Sequence, residues 1–374
     1  MSGSLYVVAG EMSGDAHAAG LLDALMKIRP GLTIAGRGGP KMQAVAGEGI
    51  GDWVDDAAVM GVVEVLKHYK WFKERFYEML DEVREMKPEV LLLVDYPGFN
   101  FRFAKAVRKE LPQTKIVQYV CPQVWAWKKG RIPKMVELFD EVLCLLPFEP
   151  DIFKGTKLKT TFVGHPMVDE LEEARVGVAR DPRLIALMPG SREPEVEKLF
   201  PMMLEAAERL LASHEGLRFE VPAATKRLQW RMEEMAEERR LGEALTIRSG
   251  GAHELMQKAH CGVVASGTAT VEAGYYGMPY CLVYKLAWPT YVAAKVVVRI
   301  KLVGLVNILA GEEVVQEFIQ SEADPVHVSK ALGRFLSDPE HVERVRARMQ
   351  EATGKLGGTG AHQRAAEAVS AWFR

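Results

Sequence analysis

Three segments of this chain place polar side chains where an apolar, strand-like run ends and a helical pattern begins. Asp95 follows the run at 90–94, and Arg192 follows the run at 184–188. A carboxylate desolvated at the end of a buried strand has a raised pKa, which suits a general base for a hydroxyl group. An arginine at a helix start can bind phosphate oxygens together with free backbone N–H groups. For both residues, helix capping or surface exposure is the structural alternative.

The third segment, residues 266–272, is rich in small side chains. They are Ser266, Gly267, Thr268 and Ala269. Small residues let a diphosphate approach the backbone closely, and Glu272, one turn into the predicted helix, could accept hydrogen bonds from ribose hydroxyls. The segment is neither a Walker loop nor a G-x-G-x-x-G motif, so a cap by Ser266 or Thr268 is the alternative. Ser191, directly before Arg192, is a second candidate phosphate contact.

A similar turn lies near the start of the chain, where the apolar run 5–9 breaks into residues 10–15. This turn contains Ser13, Gly14 and Asp15 and leads into a helical pattern. A small-residue turn before a helix presents free N–H groups and a positive helix end to a ligand. One such turn in each half predicts two substrates that meet in a cleft between two α/β domains.

Apolar runs alternate with helical patterns along nearly all 374 residues. The runs are continuous, as is typical of parallel strands covered on both faces, so the predicted fold is two doubly wound α/β sheets. Predicted strands are 5–9, 32–35, 90–95, 115–120, 141–145, 160–163, 184–188, 217–222, 244–248, 261–265 and 280–284. Predicted helices are 14–28, 62–86, 99–111, 192–213, 226–239, 268–277, 326–336, 340–353 and 360–373. The charged stretch 164–181 is the predicted linker.

Composition excludes several classes of function. The net charge of −2 gives no reason to expect nucleic acid as a partner. The four cysteines lack C-x-x-C spacing and are predicted to be buried thiols, and no histidine or aspartate motif predicts a metal. The longest stretch without charged residues, 259–271, has 13 residues, short of the ~18 that indicate a membrane span. The N-terminus enters a strand without a signal sequence, which predicts a cytoplasmic protein.

An apolar stripe at helical spacing runs through residues 60–84 and is bordered by lysines. Such a stripe usually faces a protein core, but a border of aromatic and basic residues is also typical of an interfacial helix. The predicted membrane patch consists of Val62, Val63, Leu66, Tyr69, Trp71 and Phe72. A second basic and apolar stretch lies at 288–309. Together they predict attachment to an anionic membrane surface, with buried packing as the alternative.

Several segments together resemble one family, the lipid-A-disaccharide synthases, which are glycosyltransferases of the GT-B fold. The matching segments are VAGEMSGDAHA (8–18), GRGGPKMQ (36–43), VMGVVEVL (59–66), VDYPGFNF (94–101), YVCPQVWAWKKGR (119–131), LPFEP (146–150), VGHPMVDE (163–170), LMPGSREPEVE (187–197), ASGTATVEAG (265–274) and LVNILAG (305–311). They follow the family order over nearly the whole chain. Arg37 and Cys121 depart from the family pattern without touching the expected chemistry.

The resemblance implies a reaction. UDP-2,3-diacylglucosamine would donate its sugar to 2,3-diacylglucosamine 1-phosphate, with inversion, to give a β-1,6 disaccharide and UDP. Asp95 would be the general base and Arg192 the arginine beside the nucleotide, with no metal and no cofactor. Further expected substrate contacts are Ser13, Gly14, Asp15, Asn100, Trp127, Arg131, His165, Ser191, Ser266, Gly267, Thr268, Ala269, Glu272 and Asn307. Attachment to the inner face of the inner membrane is implied, and the choice between a monomer and a homodimer stays open.

The expected organisation is an acceptor domain at 1–168, a UDP-sugar domain at 169–345, and C-terminal helices at 346–374 that cross back or exchange between subunits. Two rivals remain. One is another GT-B enzyme of UDP-sugars, such as a 2-epimerase or a transferase for peptidoglycan lipid. The other is a membrane-docked nucleotide sensor without catalysis.

Overall fold

The computed structural model of the protein describes residues 3–57, 69–286 and 302–374. The chain forms two compact units, one of Met1–Asp169 with Leu356–Arg374 and one of Glu170–Lys355. The expected boundary at residue 346 is wrong, because it falls inside the helix Pro339–Gly354, whose buried face belongs to the second unit. Only the last helix, Ala361–Ser370, returns to the first unit, where Ala365, Ala366 and Val369 join its core.

The N-terminal unit is built on a parallel sheet of seven strands. In chain order they are β1 (Ser4–Ala9), β2 (Thr33–Gly38), β3 (Ile50–Asp52), β4 (Val90–Val94), β5 (Lys115–Tyr119), β6 (Glu141–Cys144) and β7 (Lys159–Phe162). Their spatial order is β3-β2-β1-β4-β5-β6-β7. The central strand β4 is buried along its whole length because apolar side chains cover both faces of the sheet. One core cluster contains Leu91 and Leu93, and the other contains Val90, Leu92 and Val94.

Helices flank this sheet and connect its strands. In chain order they are α1 (Met12–Ile28), α2 (Pro40–Ala46), α3 (Val54–Ala57), α4 (Tyr69–Met86), α5 (Pro97–Glu110), α6 (Ile132–Leu138) and α7 (Met167–Glu173), the last spanning the unit boundary. The order reverses between β1 and β4, because β2 lies on one side of β1 and β4 on the other. Such a switch point is where open α/β sheets bind ligands.

The C-terminal unit repeats this design. Its strands are β8 (Asp181–Met188), β9 (Arg218–Ala223), β10 (Leu245–Ser249), β11 (Ala259–Ala265), β12 (Tyr280–Tyr284) and β13 (Glu317–Ile319), in the order β10-β9-β8-β11-β12-β13. Its helices are α8 (Glu193–Leu211), α9 (Lys226–Ala236), α10 (Ala252–Lys258), α11 (Thr268–Tyr275), α12 (Leu305–Ala310), α13 (Pro325–Ser337) and α14 (Pro339–Gly354). The final helix, α15, is Ala361–Ser370. The switch point of this second sheet lies between β8 and β11.

The prediction of two parallel, doubly wound sheets is confirmed, and all eleven predicted strands overlap strands of the structure. Strands β3 and β13 were not predicted. Each has three residues at the edge of its sheet, too few to show a continuous apolar run. Short helices were not predicted either, among them α2, α6 and α10, because seven residues give less than two turns of periodicity.

The predicted membrane patch is only partly described by the structure. Val62, Val63 and Leu66 lie outside the described residues, as does most of the basic stretch 288–309. Tyr69 begins α4, and on this helix Trp71 and Phe72 are half-buried against the core. None of the described helices combines the length and apolar character that a membrane crossing needs.

Candidate active site

Asp95 follows β4 at the switch point of the N-terminal sheet, directly beside the turn that follows β1. Strands β1 and β4 pair with Ala9 opposite Val94, so the two turns leave the sheet side by side. Gly10 has no room for a side chain, because a Cβ there would lie 2.4 Å from the ring of Tyr96. A Cβ on Gly14 would lie 3.8 Å from the Cβ of Asp95. The N-terminal turn and the candidate base therefore belong to one site.

Asp95 and Tyr96 both adopt left-handed backbone conformations, with φ of 48° and 43°. Left-handed conformations are uncommon for residues other than glycine, and such strain clusters at functional sites. Pro97 follows at the first position of α5. The chain thus makes a sharp bend between strand and helix, with the carboxylate on the bend.

Burial raises the pKa of Asp95, and a hydrogen bond from the backbone of Tyr96 opposes this shift. Burial also raises the pKa of Glu11, with a second contribution from the charge of Asp95. A carboxylate with a raised pKa is a stronger base than an ordinary one, which is the property a general base requires. Glu11 was not among the predicted site residues, although it stands in the same turn.

Asn100 does not have the surface exposure expected of a substrate contact. It is fully buried in α5, and its Nδ2 donates to the backbone oxygen of Asp95 at 2.5 Å. Gln118 in β5, also buried, donates to the same oxygen at 3.1 Å. The prediction that Asn100 contacts substrate is corrected: its amide holds the backbone of the candidate base. Gln118 was missed, although a glutamine inside the apolar run 115–119 is a signal.

Asp15 is also fully buried, contrary to the expectation that it binds substrate. Its carboxylate accepts hydrogen bonds from the backbone N–H groups of Gly39 at 2.8 Å, Lys41 at 3.0 Å and Met42 at 3.1 Å. These are the free donors at the start of α2, so Asp15 joins α1 to α2 from inside the protein. Its neighbour Ser13 is exposed at the start of α1 and remains available to a ligand.

The expected substrate contacts Trp127 and Arg131 lie together on the surface of the N-terminal unit. The Lys128 ammonium lies 4.0 Å from the centre of the Trp127 ring, and the Arg131 guanidinium lies 5.8 Å from it. Trp127 is 37% exposed. Two cations over one exposed indole form a surface suited to a phosphate on an apolar or sugar-like molecule.

The loop that carries Trp127 is tied to the LPFEP segment. The indole of Trp125 donates to Glu149, which also accepts from the backbone N–H of Leu146.

Among the described residues, Cys121, Cys144 and Glu149 form the one group of three that could hold a metal, with potential ligand atoms within 4.8 Å of one another. Burial raises the pKa of Glu149 to about 7, and both its oxygens already accept hydrogen bonds. The four cysteines are free and buried, as predicted.

His165 is half-buried and serves the fold. Its Nδ1 accepts a hydrogen bond from the backbone N–H of Met167 at 3.2 Å, which satisfies one of the free donors at the start of α7. Burial lowers the pKa of His165 to about 4, so its ring is neutral at physiological pH. The ring of His17 lies 6.4 Å away. His165 was expected to contact a ligand. In the structure its ring accepts a hydrogen bond from the start of α7, which gives the residue a structural role.

In the C-terminal unit, Arg192 and the segment 266–269 follow adjacent strands at the switch point. Strands β8 and β11 pair with Met188 opposite Val264, so Ser191 and Arg192 leave the sheet beside Ser266. Arg192 is the N-cap residue of α8, and its exposed guanidinium lies 3.5 Å from Glu195. The structure therefore brings together the arginine and the small-residue turn that the sequence predicted to bind a diphosphate.

The small-residue turn leaves space above the start of α11. Gly267 and Thr268 are exposed, and Ser266 and Ala269 are half-buried. Within the described ranges 3–57, 69–286 and 302–374, no atom lies within 4 Å of a Cβ built on Gly267. Glu272, one turn along the helix, lies 3.4 Å from the Nε2 of His253 at the start of α10. His253 was not predicted, because its partner comes from another helix.

The side chain of Asn307 is not available to the UDP-sugar in this structure. It is buried, its Nδ2 donates to Val315 and Glu317, and its Oδ1 accepts from the backbone of Val314 and Val315. These bonds use the full hydrogen-bonding capacity of an asparagine amide. The expectation that Asn307 binds the nucleotide sugar is therefore corrected, because the side chain anchors α12 to the segment that leads into β13.

Comparisons with known proteins agree over the full chain. A family model described as lipid-A-disaccharide synthetase matches residues 5–371. Lipid-A-disaccharide synthase of Trichlorobacter lovleyi is 37% identical over 373 residues, 98% of this chain and 96% of that protein. The enzyme of the same name from Geobacter sulfurreducens is 34% identical, also over 98% of this chain and 96% of that protein. Lipid-A-disaccharide synthase 1 of Legionella pneumophila is 36% identical over 90% of this chain and 88% of its own.

Solved structures share the fold at low sequence identity. A putative UDP-N-acetylglucosamine 2-epimerase from Listeria monocytogenes aligns with a TM-score of 0.62 at 14% identity, over 99% of this chain and 95% of its own. The calicheamicin glycosyltransferase CalG4 aligns with a TM-score of 0.57 at 15% identity, over 100% of this chain and 98% of its own. These similarities identify the GT-B fold alone, which glycosyltransferases and epimerases share.

Proposed function

The chain belongs to the lipid-A-disaccharide synthetase family, and we propose that it joins two acylated glucosamines as a lipid-A-disaccharide synthase. UDP-2,3-diacylglucosamine donates its sugar to the 6-hydroxyl of 2,3-diacylglucosamine 1-phosphate, and UDP leaves. The observation that carries this proposal is the same in both units: the polar segments shared with the family meet at the switch point of each sheet. That edge is where α/β sheets bind their ligands.

The C-terminal unit would bind the nucleotide. Arg192, Ser191 and the turn at Ser266, Gly267, Thr268 and Ala269 would stabilise the charge that develops on the departing diphosphate. Exposed backbone N–H groups at the starts of α8 and α11 and a forked guanidinium suit that task without a metal. Glu272, oriented by His253, would accept hydrogen bonds from ribose hydroxyls.

The N-terminal unit would bind the acceptor. Inversion at the anomeric carbon requires one direct displacement, in which a base takes the proton of the attacking hydroxyl. Asp95 would be that base, since burial raises its pKa and it lies beside the exposed turn with Ser13. Arg131 and Lys128, over the ring of Trp127, would bind the 1-phosphate.

A direct test is to incubate the purified chain with both acylated substrates and identify the product by mass spectrometry and NMR. We expect a tetraacyl-disaccharide 1-phosphate with a β linkage, released with an equal amount of UDP, and the same rate in EDTA. A rate that falls in EDTA and returns with Mg²⁺ would contradict the metal-free reaction. Turnover of UDP-N-acetylglucosamine without acyl chains would favour an epimerase instead. Binding of UDP and lipid without UDP release would favour a sensor.

The acyl chains of both substrates would stay in the membrane, so the protein would attach to an anionic bilayer at the inner face of the inner membrane. The apolar residues Val62, Val63 and Leu66, followed by the start of α4, support this attachment by their composition. Tyr77 on α4 is 51% exposed, and Lys73 is exposed on the same helix. Trp71 and Phe72 contribute to the core and would serve attachment only indirectly.

Burial of one such side chain contributes about 1.5–3 kcal/mol. We therefore expect the double variant Val62→Ser/Leu66→Ser, which removes two of them, to bind anionic liposomes about a hundredfold more weakly or worse. Liposome co-sedimentation measures this loss, and UDP titration by calorimetry should show unchanged affinity. The matched control is Val176→Ser, which replaces an exposed valine of the other unit. Equal loss of liposome binding in the control, or wild-type binding in the double variant, would refute the patch.

A further inference from the structure

The bend at Asp95 has a counterpart on the next strand. Strands β4 and β5 pair with Val94 opposite Tyr119, and each is followed by a left-handed residue. These are Asp95, with φ of 48°, and Val120, with φ of 68°. A β-branched residue rarely adopts this conformation. Each such residue is strained and persists only where surrounding contacts hold it.

The contacts that hold both bends come from two buried amides. The two N–H groups on the Nε2 of Gln118 are shared among three backbone oxygens, those of Asp95 at 3.1 Å, Tyr119 at 3.1 Å and Val120 at 3.3 Å. The Nδ2 of Asn100 donates to the oxygen of Asp95 at 2.5 Å. The oxygen of Asp95 thus accepts from two side-chain amides, while its N–H donates to the oxygen of Tyr119 at 2.9 Å. Both peptide groups of the bend are fixed from inside the protein.

We propose that Gln118 and Asn100 are positioning residues that hold the strained bend at Asp95 and thereby aim its carboxylate at the acceptor hydroxyl. The direction of a Cα–Cβ bond depends on the backbone conformation, so relaxation of Asp95 to negative φ would turn its carboxylate elsewhere. An error of about 1 Å in the position of a reacting group can cost about 10²-fold in rate. The proposal rests on the role of Asp95 as general base.

The carbonyl oxygen of the Asn100 side chain distinguishes a positioning role from simple packing in the core. Its Oδ1 is buried and accepts no hydrogen bond from any of the described residues. A buried acceptor without a partner loses its hydrogen bonds to water without replacement, so this oxygen is unfavourable for stability. The hydrogen bond from the Nδ2 of Asn100 to the backbone oxygen of Asp95 offsets this cost. A core selected for stability alone would favour an apolar residue here.

The test is Gln118→Met, which keeps the length of the side chain and removes the donor. We expect kcat to fall about tenfold to a hundredfold with unchanged KM for the UDP-sugar. We also expect the acidic limb of the kcat profile to move to lower pH. Burial now raises the pKa of Asp95, and release of the bend exposes the carboxylate, so its pKa falls towards the ordinary value. Loss of stability alone would not move this limb.

The matched control is Thr114→Val, directly before the opposite end of the same strand. Thr114 is buried and donates to the backbone oxygen of Pro88 at 2.9 Å, so the variant also loses one buried hydrogen bond beside β5. It should lose stability with an unchanged pH profile. Asn100→Ser is the second variant, with the same expected kinetics, should Gln118→Met not fold. A folded variant of either residue with wild-type kcat and pH profile would overturn the positioning role. Full activity of Asp95→Asn would instead overturn the general base.

Discussion

The Asp95→Asn variant is expected to fold and bind UDP like the wild type but to turn over about 10²–10⁴ times more slowly. This is the usual contribution of a general base, and an amide of the same shape cannot accept the proton of the acceptor hydroxyl. Single-turnover kinetics with both acylated substrates measures the loss, and thermal unfolding checks the fold. In the wild type, kcat should decline as the pH falls through the pKa of Asp95. Because burial raises this pKa, the decline should lie above the ordinary aspartate value of about 3.9.

The matched control for Asp95 is Glu11→Gln, the neighbouring carboxylate whose pKa is raised by burial and by Asp95. Glu11→Gln should cost much less activity than Asp95→Asn, because Glu11 keeps more contact with solvent than Asp95, which is held on the bend between β4 and α5. The reverse order of losses would identify Glu11 as the base.

The Arg192→Ala variant should lower kcat by about 10²–10³-fold, the typical cost of removing one donor to a charge that develops in the transition state. Arg192→Lys should restore part of this loss, because lysine keeps the charge without the forked geometry that fits a diphosphate. The measurements are kcat for both variants and UDP affinity by calorimetry.

Arg209→Ala is the matched control for Arg192. Arg209 lies on the same helix, α8, is exposed, and pairs with Glu205 at 3.0 Å. An exposed pair of this kind contributes about 0–1 kcal/mol, so the variant should keep both stability and activity. Similar kinetics of Arg192→Ala and Arg209→Ala would remove Arg192 from the reaction.

The sequence by itself determined the parallel, doubly wound sheets and the strand ends at which chemistry could occur. Continuous apolar runs predict buried strands, and Asp95, Arg192 and the turn at 266–269 all stand where such a run ends. Periodicity is a local property, so it locates long elements well and short edge strands such as β3 poorly. The family motifs, spread over nearly the whole chain, added the expected reaction.

The tertiary structure decided which polar residues face a ligand and which hold the fold. Asp15, Asn100 and Asn307 stand in the same motifs as the candidate catalytic residues, yet all three are buried. Asp15 accepts from Gly39, which another turn of the chain supplies. Asn100 and Asn307 donate to Asp95 and Val315, which lie five and eight residues away. Gln118 acquires its role in the same way, from a bend on the neighbouring strand. A hydrogen bond depends on distances of a few tenths of an ångström, and only the packed fold defines those distances, for residues close in sequence as well as for distant ones.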